Sequence, residues 1–415
     1  MQAKDFIHSH RWLRYSNYTS LMLQFSRMML SVFGLGLSNY AFFTVLTTTT
    51  QTFQKLLGLN SWSAIVKHSN ISENESELGA TLIQVMFLEF TSMLIAFGVL
   101  GIFLDLYLVH IMPGVEKHSW FIFVILFQFD GVATGYLRYC KQEKFLNLVK
   151  IYFTSLTFIS VLFISYFNLN LEYYLLVVFV EIVLSRLIYI GRFLSLLPKV
   201  RVKEIIAYRI EFKLARDLLA CSVESSVRAL RDFDLNVVAY FFAPPLVAIF
   251  KISRTIADGI GSLSGPLFYS YFSIKAKSIS TDGAQLEKSY KKKRNQIIYA
   301  QSSFSVILFI LAFTVELPEN YAIVFEMAAT FIIAHLIWSF FQSLHAEVHI
   351  LNINHKIVIP SLLITIGYLG LTLLVSWHGQ IEVIPTLLVA YYIFWVFFIR
   401  RIKNKHEQWT PVLGQ

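Results

Sequence analysis

Six basic side chains, Arg27, Arg186, Arg228, Arg231, Lys251 and Arg254, stand inside apolar runs long enough to cross a bilayer. An Arg or Lys at the centre of such a run costs about 2.5–3.5 kcal/mol on insertion scales, so these groups are expected to face water or a partner, not lipid. Spacings of three and four gather most of them onto helix faces: Ser20, Gln24, Arg27, Ser31 and Gly34; Thr44, Thr48, Gln51 and Lys55; Glu224, Arg228 and Arg231; Lys251, Arg254, Asp258 and Ser262. The chemistry open to such a set is electrostatic. Arg27, Lys55, Arg228, Arg231, Lys251 and Arg254 on four matched helices would make a cationic cavity suited to an anionic substrate. Structural pairing is the competing account, of Arg228 and Arg231 with Glu224, Asp232 or Asp234, and of Lys251 and Arg254 with Asp258. Among the in-span acids, Glu89, Asp105, Asp130, Glu181, Asp258 and Glu326, four are candidates for proton or sodium coupling: Asp258, Glu89, Asp130 and Glu326. Asp258 is preferred because it shares a face with Lys251 and Arg254, so its protonation would change what those cations hold. Helix packing explains the other acids equally well.

Catalytic chemistry finds no comparable support. His345, Glu347 and His349 in HAEVH put two His four apart, but the Glu is misplaced for HExxH and no third ligand is evident, so an interfacial cluster is the better account. No phosphate loop, dinucleotide fingerprint or serine elbow occurs, and no cofactor, metal or ATP hydrolysis by this chain is expected. Cys140 and Cys221, the only cysteines, lie far apart and read as free thiols.

The elements that must position these residues follow from composition. The 415 residues are 56% hydrophobic, 16% aromatic and 15% charged, with a mean hydropathy of +0.59, against about 25% charged in soluble domains. This predicts an all-α polytopic membrane protein, with spans near 18–36, 40–59, 82–108, 119–137, 148–168, 172–195, 217–243, 246–273, 297–316, 321–349, 357–376 and 382–400. Unbroken runs such as FISVLFISYF exclude the alternating pattern of a β-barrel. With the N-terminus cytoplasmic, 28 of the 35 Lys and Arg fall in inside segments and only Lys117 outside, while ELPEN at 316–320 is acidic and outside. That bias predicts both termini in the cytoplasm. It also accounts for the basic excess without nucleic acid. Met1 to Asn17 is polar and basic, shows no cleavage site and leads into an uncleaved first span. The KKKR run at 291–294 reads as a topogenic or lipid-headgroup patch, and the sequons at Asn70 and Asn74 face the cytoplasm, as chance matches.

Long loops lie inside, near 60–80, 196–216 and 274–296, and outside loops are as short as NLN and APP. An acceptor-holding outer domain, which a polytopic glycosyltransferase or polysaccharide polymerase needs, has no room. The basic stretch 199–216 divides the chain into a first six-helix bundle, 1–198, and a second, 217–415 with a short tail. Polar stripes on the first two helices of each half, at an offset of about 205 residues, predict parallel repeats about an axis along the membrane normal. Gly131 and Gly135 in FQFDGVATGYLRY form a small-residue face for close helix packing.

Three segments, FGLGLSNYAFFTVLTTTTQTFQKLLGLNSW (33–62), GVATGYLRYCKQEKFLNLVKIY (131–152) and APPLVAIFKISRTIADGIGSLSGPLFYSYF (243–272), resemble the polysaccharide-transporter branch of the multidrug/oligosaccharidyl-lipid/polysaccharide exporter (MOP) superfamily, O-antigen flippase type. The likeness rests on a short turn, an aromatic and small-residue start to the next span, a basic residue a turn further in, and an inner end containing Pro266; Val247 and Ala248 depart from it where the family commonly has Gly. The resemblance implies a MATE-like pair of six-helix bundles working by alternating access in a bacterial inner membrane. It implies as substrate an undecaprenyl-diphosphate-linked oligosaccharide, moved from the inner to the outer leaflet, whose diphosphate the cationic residues would hold and whose sugars could stack on Tyr40 and Tyr240. Membrane lipids and other polysaccharide-assembly proteins are the implied partners. A multidrug exporter of the same superfamily would call for an acidic cavity, against the basic stripes.

Overall fold

A computed structural model describes residues 2–69, 74–201, 203, 205, 210–268, 271, 283–314, 319–350 and 353–409. Asn70, Lys275, Lys277, most of the ELPEN loop, and the side chains of Lys4, Arg11, Arg14, Lys67 and His349 lie outside the described residues.

Helices account for the architecture, and the described residues contain no strand. The first, α1 (Gln2–Leu57), merges the first two expected spans. They meet at Gly36, whose φ of 71° and ψ of 164° are non-helical. A residue with a Cβ pays to adopt this conformation and glycine does not, and open space surrounds the position where a Cβ would stand, so the requirement there is conformational. A short helix, α2 (Trp62–Ser69), occupies what the sequence marks as an inside loop. Next comes α3 (Glu75–Phe103), prolonged by a π-turn, Leu104–Leu108, and a last turn to Ile111.

The fourth span is broken: a 3-10 run, Val115–Phe127, ends at Gln128, and α-helix resumes as α4 (Gly131–Tyr139). Two plain spans follow, α5 (Glu143–Tyr166) and α6 (Leu171–Leu196). The seventh is in three pieces, α7 (Phe212–Leu230), a 3-10 turn Arg231–Phe233 and α8 (Asp234–Phe241). The remainder are α9 (Pro244–Gly261), with proline in its first turn where the missing N–H costs nothing, α10 (Gly283–Thr314), α11 (Glu319–Ile350), α12 (Val358–Trp377) and α13 (Ile384–Trp409).

Nine helical stretches among the described residues are long and apolar enough to cross a membrane. The shortfall from twelve has a physical cause: Tyr15–Leu57 counts two spans as one, and α7 and α9 carry the charges on which the candidate site rests. Large apolar side chains point outward along whole helices, as Phe87, Leu94, Ile95, Ile102 and Leu106 do on α3 and its extension. Apolar surface of that extent suits lipid, not water.

The chain forms two compact units, Met22–Phe233, and Met1–Leu21 with Asp234–Gln415. This division falls at 233/234, not in the 199–216 stretch where the sequence divides, because α7 is tied to first-half residues. Its Ser226 Oγ donates to the Leu56 carbonyl at 2.5 Å and its Ser222 Oγ accepts from the Asn60 N–H at 3.0 Å. Within Met22–Phe233, a core of Ala64, Ile65, Leu82, Val85, Val132 and Phe193 joins α2, α3, α4 and α6. In the other unit, Val348, Ile353, Ile357, Trp395, Val396 and Ile399 join α11 to α13.

Candidate functional site: ion pairs within the spans

In the unit Met22–Phe233, every in-span cation named from sequence meets a carboxylate. Arg27 on α1 donates through Nη1 to Glu181 Oε2 on α6 at 2.7 Å. Lys55, in the last turn of α1, stands 3.5 Å from Asp232. Asp232 also accepts from Arg231 Nη2 at 3.2 Å. The 3-10 turn that carries Arg231 and Asp232 is held by Phe233, which packs edge-on against Phe53 and Phe103. Arg228 pairs with Glu224 one turn earlier on α7 at 3.5 Å. Arg186 on α6, in none of the polar stripes, pairs with Asp130 at 3.0 Å.

These pairs share an orientation. The cation is the more accessible partner in each, by a wide margin in three: Lys55 is 49% exposed against 16% for Asp232, Arg228 34% against 2% for Glu224, and Arg186 33% against 12% for Asp130. A charged group that is accessible within a span is not there for lipid. The Nε–H of Arg228 and that of Arg186 are buried with no acceptor among the described residues.

The unit of Met1–Leu21 and Asp234–Gln415 is built differently. Arg254 on α9 is buried and bonds Asp234, which is buried at the start of α8. Asp234 also takes a hydrogen bond from Tyr368 Oη of α12 at 2.7 Å and one from the Leu235 N–H at 2.7 Å. With two charges out of water, each remaining lone pair needs a donor, and Tyr368 and the backbone supply them. Asp258, four residues on from Arg254, is 3.9 Å from its Nε and accepts from His335 Nε2 of α11 at 2.9 Å. Here the acid is the accessible partner, 48% exposed against 13% for His335. Lys251 is half-buried a turn before Arg254.

Of the other acids, Glu89 on α3 is buried, accepting from Ser61 Oγ and from the Val132 N–H, the latter at 3.2 Å. Glu326 on α11 is exposed and joins no ion pair among the described residues. Asp105 is also exposed. Tyr40 is buried and Tyr240 exposed. Cys140 and Cys221 form no disulfide. Among the described residues no group of three or more His, Cys, Asp or Glu could hold a metal ion. His345 lies instead among the rings of Phe268, Trp338 and Trp395, and Glu347 pairs with Lys403 at 2.5 Å.

Sequence reasoning missed His335, Tyr368 and Ser61 as partners. His335 carried one available signal, an ionisable side chain in the apolar run FIIAHLIW. Tyr368 and Ser61 carried none.

No family model matches the chain, and no curated protein sequence matches it. Solved structures do match. One, a MOP superfamily transporter from Pyrococcus furiosus Vc1 (DSM3638), aligns with a TM-score of 0.68 at 12% identity, over 98% of this chain and 96% of that one. MATE in the straight conformation gives a TM-score of 0.68 at 14% identity, over 98% and 97%. An outward-facing multidrug resistance MATE family transporter gives 0.64 at 14%, over 97% of both. From end to end, the chain therefore has the fold of the MOP superfamily transporters.

Proposed function

We propose that this protein is a flippase that moves an undecaprenyl-diphosphate-linked oligosaccharide from the inner to the outer leaflet of a bacterial inner membrane, by alternating access. The observation that carries the reading is the orientation of the ion pairs in Met22–Phe233: in each the cation is more accessible than the carboxylate it pairs with. Such pairs keep the cations in place within a span and leave them able to exchange a carboxylate oxygen for a phosphate oxygen. Moving a diphosphate through hydrocarbon unpaired is prohibitive, and Arg27, Lys55, Arg228 and Arg231 would hold it. In the other unit, Lys251 and Arg254 carry the remaining in-span basic charge, Arg254 mainly as the countercharge of Asp234. Both termini would lie in the cytoplasm, and other polysaccharide-assembly proteins would supply and consume the substrate.

In the Pyrococcus furiosus transporter, reverse polarity of the binding pocket suggests a different function; this fold therefore accommodates a change of pocket polarity. Transport in the superfamily fold, no motif for catalysis and a basic set within the spans together favour an anionic cargo over a cationic drug. The test is loss of the gene followed by analysis of the surface polysaccharide and of its lipid-linked precursor. The proposal expects the precursor to accumulate while total protein synthesis is unaffected. A second reading, an ion-coupled exporter, is favoured by Asp258, whose accessible carboxylate against His335 could take up a proton or sodium ion in exchange for cargo. Accumulation of exported small molecules without any change in the polysaccharide would select it.

A further inference from the structure

We propose that Arg186 is a further binding residue for the oxyanion of the cargo, aimed by Asp130, with Glu89 and Ser61 as the groups that free Asp130 to do so. The inference rests on the flippase reading for its substrate class and adds a residue that lies in none of the polar stripes.

The argument begins at the break in the fourth span. Asp130 occupies the N-cap position of α4, where a carboxylate ordinarily accepts from the N–H groups of the first turn. It makes no such bond. Its Oδ2 lies instead 3.0 Å from Arg186 Nη1 on α6. The vacated capping role is filled from another helix: Glu89 of α3 accepts from the Val132 N–H at 3.2 Å and from Ser61 Oγ. Gly131 is the residue that lets it approach, because a Cβ there would stand 2.4 Å from Glu89 Oε1 and 2.8 Å from Ser61 Oγ. Two carboxylates are thus used at one helix start where a single cap would serve, and what the second carboxylate gains is the placement of one guanidinium.

That guanidinium is only partly used. Asp130 takes Nη1, the Nε–H is buried with no acceptor among the described residues, and the side chain is one-third exposed. The Tyr189 ring, a turn further along α6, lies 6.0 Å from Cζ and steadies the group from one side. A guanidinium binds phosphate or carboxylate through two parallel N–H groups. Here the Nε edge is the one left for such a ligand, while Asp130 holds the opposite end. The buried Nε–H without an acceptor is what separates this pair from a purely structural one, in which burial would be matched by hydrogen bonds.

The experiment uses the full-length protein in nanodiscs and measures binding of farnesyl diphosphate and inorganic pyrophosphate, with farnesol as the uncharged control. Arg186→Ala is expected to weaken binding of the two diphosphates about tenfold or more, the scale of a charge-assisted hydrogen-bonded contact, and to leave farnesol unchanged. Arg186→Lys is expected to fall between the two and guards against a variant that fails to fold. Asp130→Asn is the decisive arm, because the amide oxygen still accepts from Nη1 and keeps the arginine aimed while the competing charge is gone, so the diphosphates should be held at least as tightly as by the unaltered protein. A structural pair predicts the opposite, parallel loss in Arg186→Ala and Asp130→Asn, and that result overturns the proposal. So does wild-type affinity in Arg186→Ala. Pyrophosphate bound through Arg186 without farnesyl diphosphate would keep the oxyanion site and reject the flippase reading, and binding of neither probe by the unaltered protein would reject both.

Discussion

The ion pairs of Met22–Phe233 and those of the Asp234–Gln415 unit use the same residue types to opposite ends. In the first, the acid sits behind and the base is presented: Glu224 is 2% exposed and its Arg228 34%. In the second, the base is sealed in and an acid is presented: Arg254 is 7% exposed between Asp234 and Asp258, and Asp258 is 48% exposed. A basic residue within a span is therefore not a single kind of evidence. Where partners surround it, as Asp234 (itself held by Tyr368) and Asp258 (itself held by His335) surround Arg254, it is a countercharge fixing four helices of one unit. Where its carboxylate is buried and it is not, it can serve a ligand as well.

This contrast can be broken most sharply at Arg254. Removing one member of a buried pair leaves the other uncompensated, at about 3–5 kcal/mol. Arg254→Ala is expected to lower the thermal stability of the detergent-purified protein and its abundance in the membrane, whereas Lys55→Ala, which is accessible and whose carboxylate Asp232 keeps Arg231, is expected to lower neither appreciably. Equal losses of protein from the two would erase the distinction.

A smaller effect is expected at Gly131. Alanine there must displace Glu89 or Ser61, an overpacking cost of about 1–3 kcal/mol. Gly131→Ala should melt earlier than the unaltered protein, and pairing it with Ser61→Ala, which makes room, should recover part of the loss. Gly36→Ala follows at about 1–3 kcal/mol, the cost of holding a residue with a Cβ in a backbone region that is essentially glycine's alone; with open space around it, no second-site change should relieve it. The smallest effect belongs to the exposed Lys291–Glu287 pair at 2.8 Å. An exposed pair is worth about 0–1 kcal/mol, so Lys291→Ala should leave the melting temperature within error.

What the sequence made legible follows the range of the contacts. The fold class was readable because apolar length and charge depletion are local properties. The Arg228–Glu224 and Arg254–Asp258 pairs were readable too, since four-residue spacing alone places them on one helix face. The pairs of Arg27 with Glu181, Asp258 with His335 and Tyr368 with Asp234 bridge 154, 77 and 134 residues. Only the packing of one helix on another creates them, and no spacing encodes it. The break in the fourth span escaped notice for a related reason: Gln128 to Gly131 sits in an apolar context that reads as continuous, and the capping of α4 comes from Glu89 on a different helix. The short α2 was missed because eight residues are too few to establish a period against a polar loop.

The central claim is that accessible cations of the first unit hold an anionic lipid headgroup during transport. It is tested most directly by purified protein in liposomes that carry a fluorescent isoprenyl-diphosphate-linked oligosaccharide, without nucleotide, following the lipid that becomes accessible at the outer leaflet with and without imposed proton and sodium gradients. The account predicts translocation of the diphosphate lipid, little translocation of an uncharged analogue, and a fall of about tenfold or more in Arg228→Ala at unchanged protein content, as loss of a charge-assisted contact would give. Equal translocation of the charged and uncharged lipids, or an unimpaired Arg228→Ala, would contradict it.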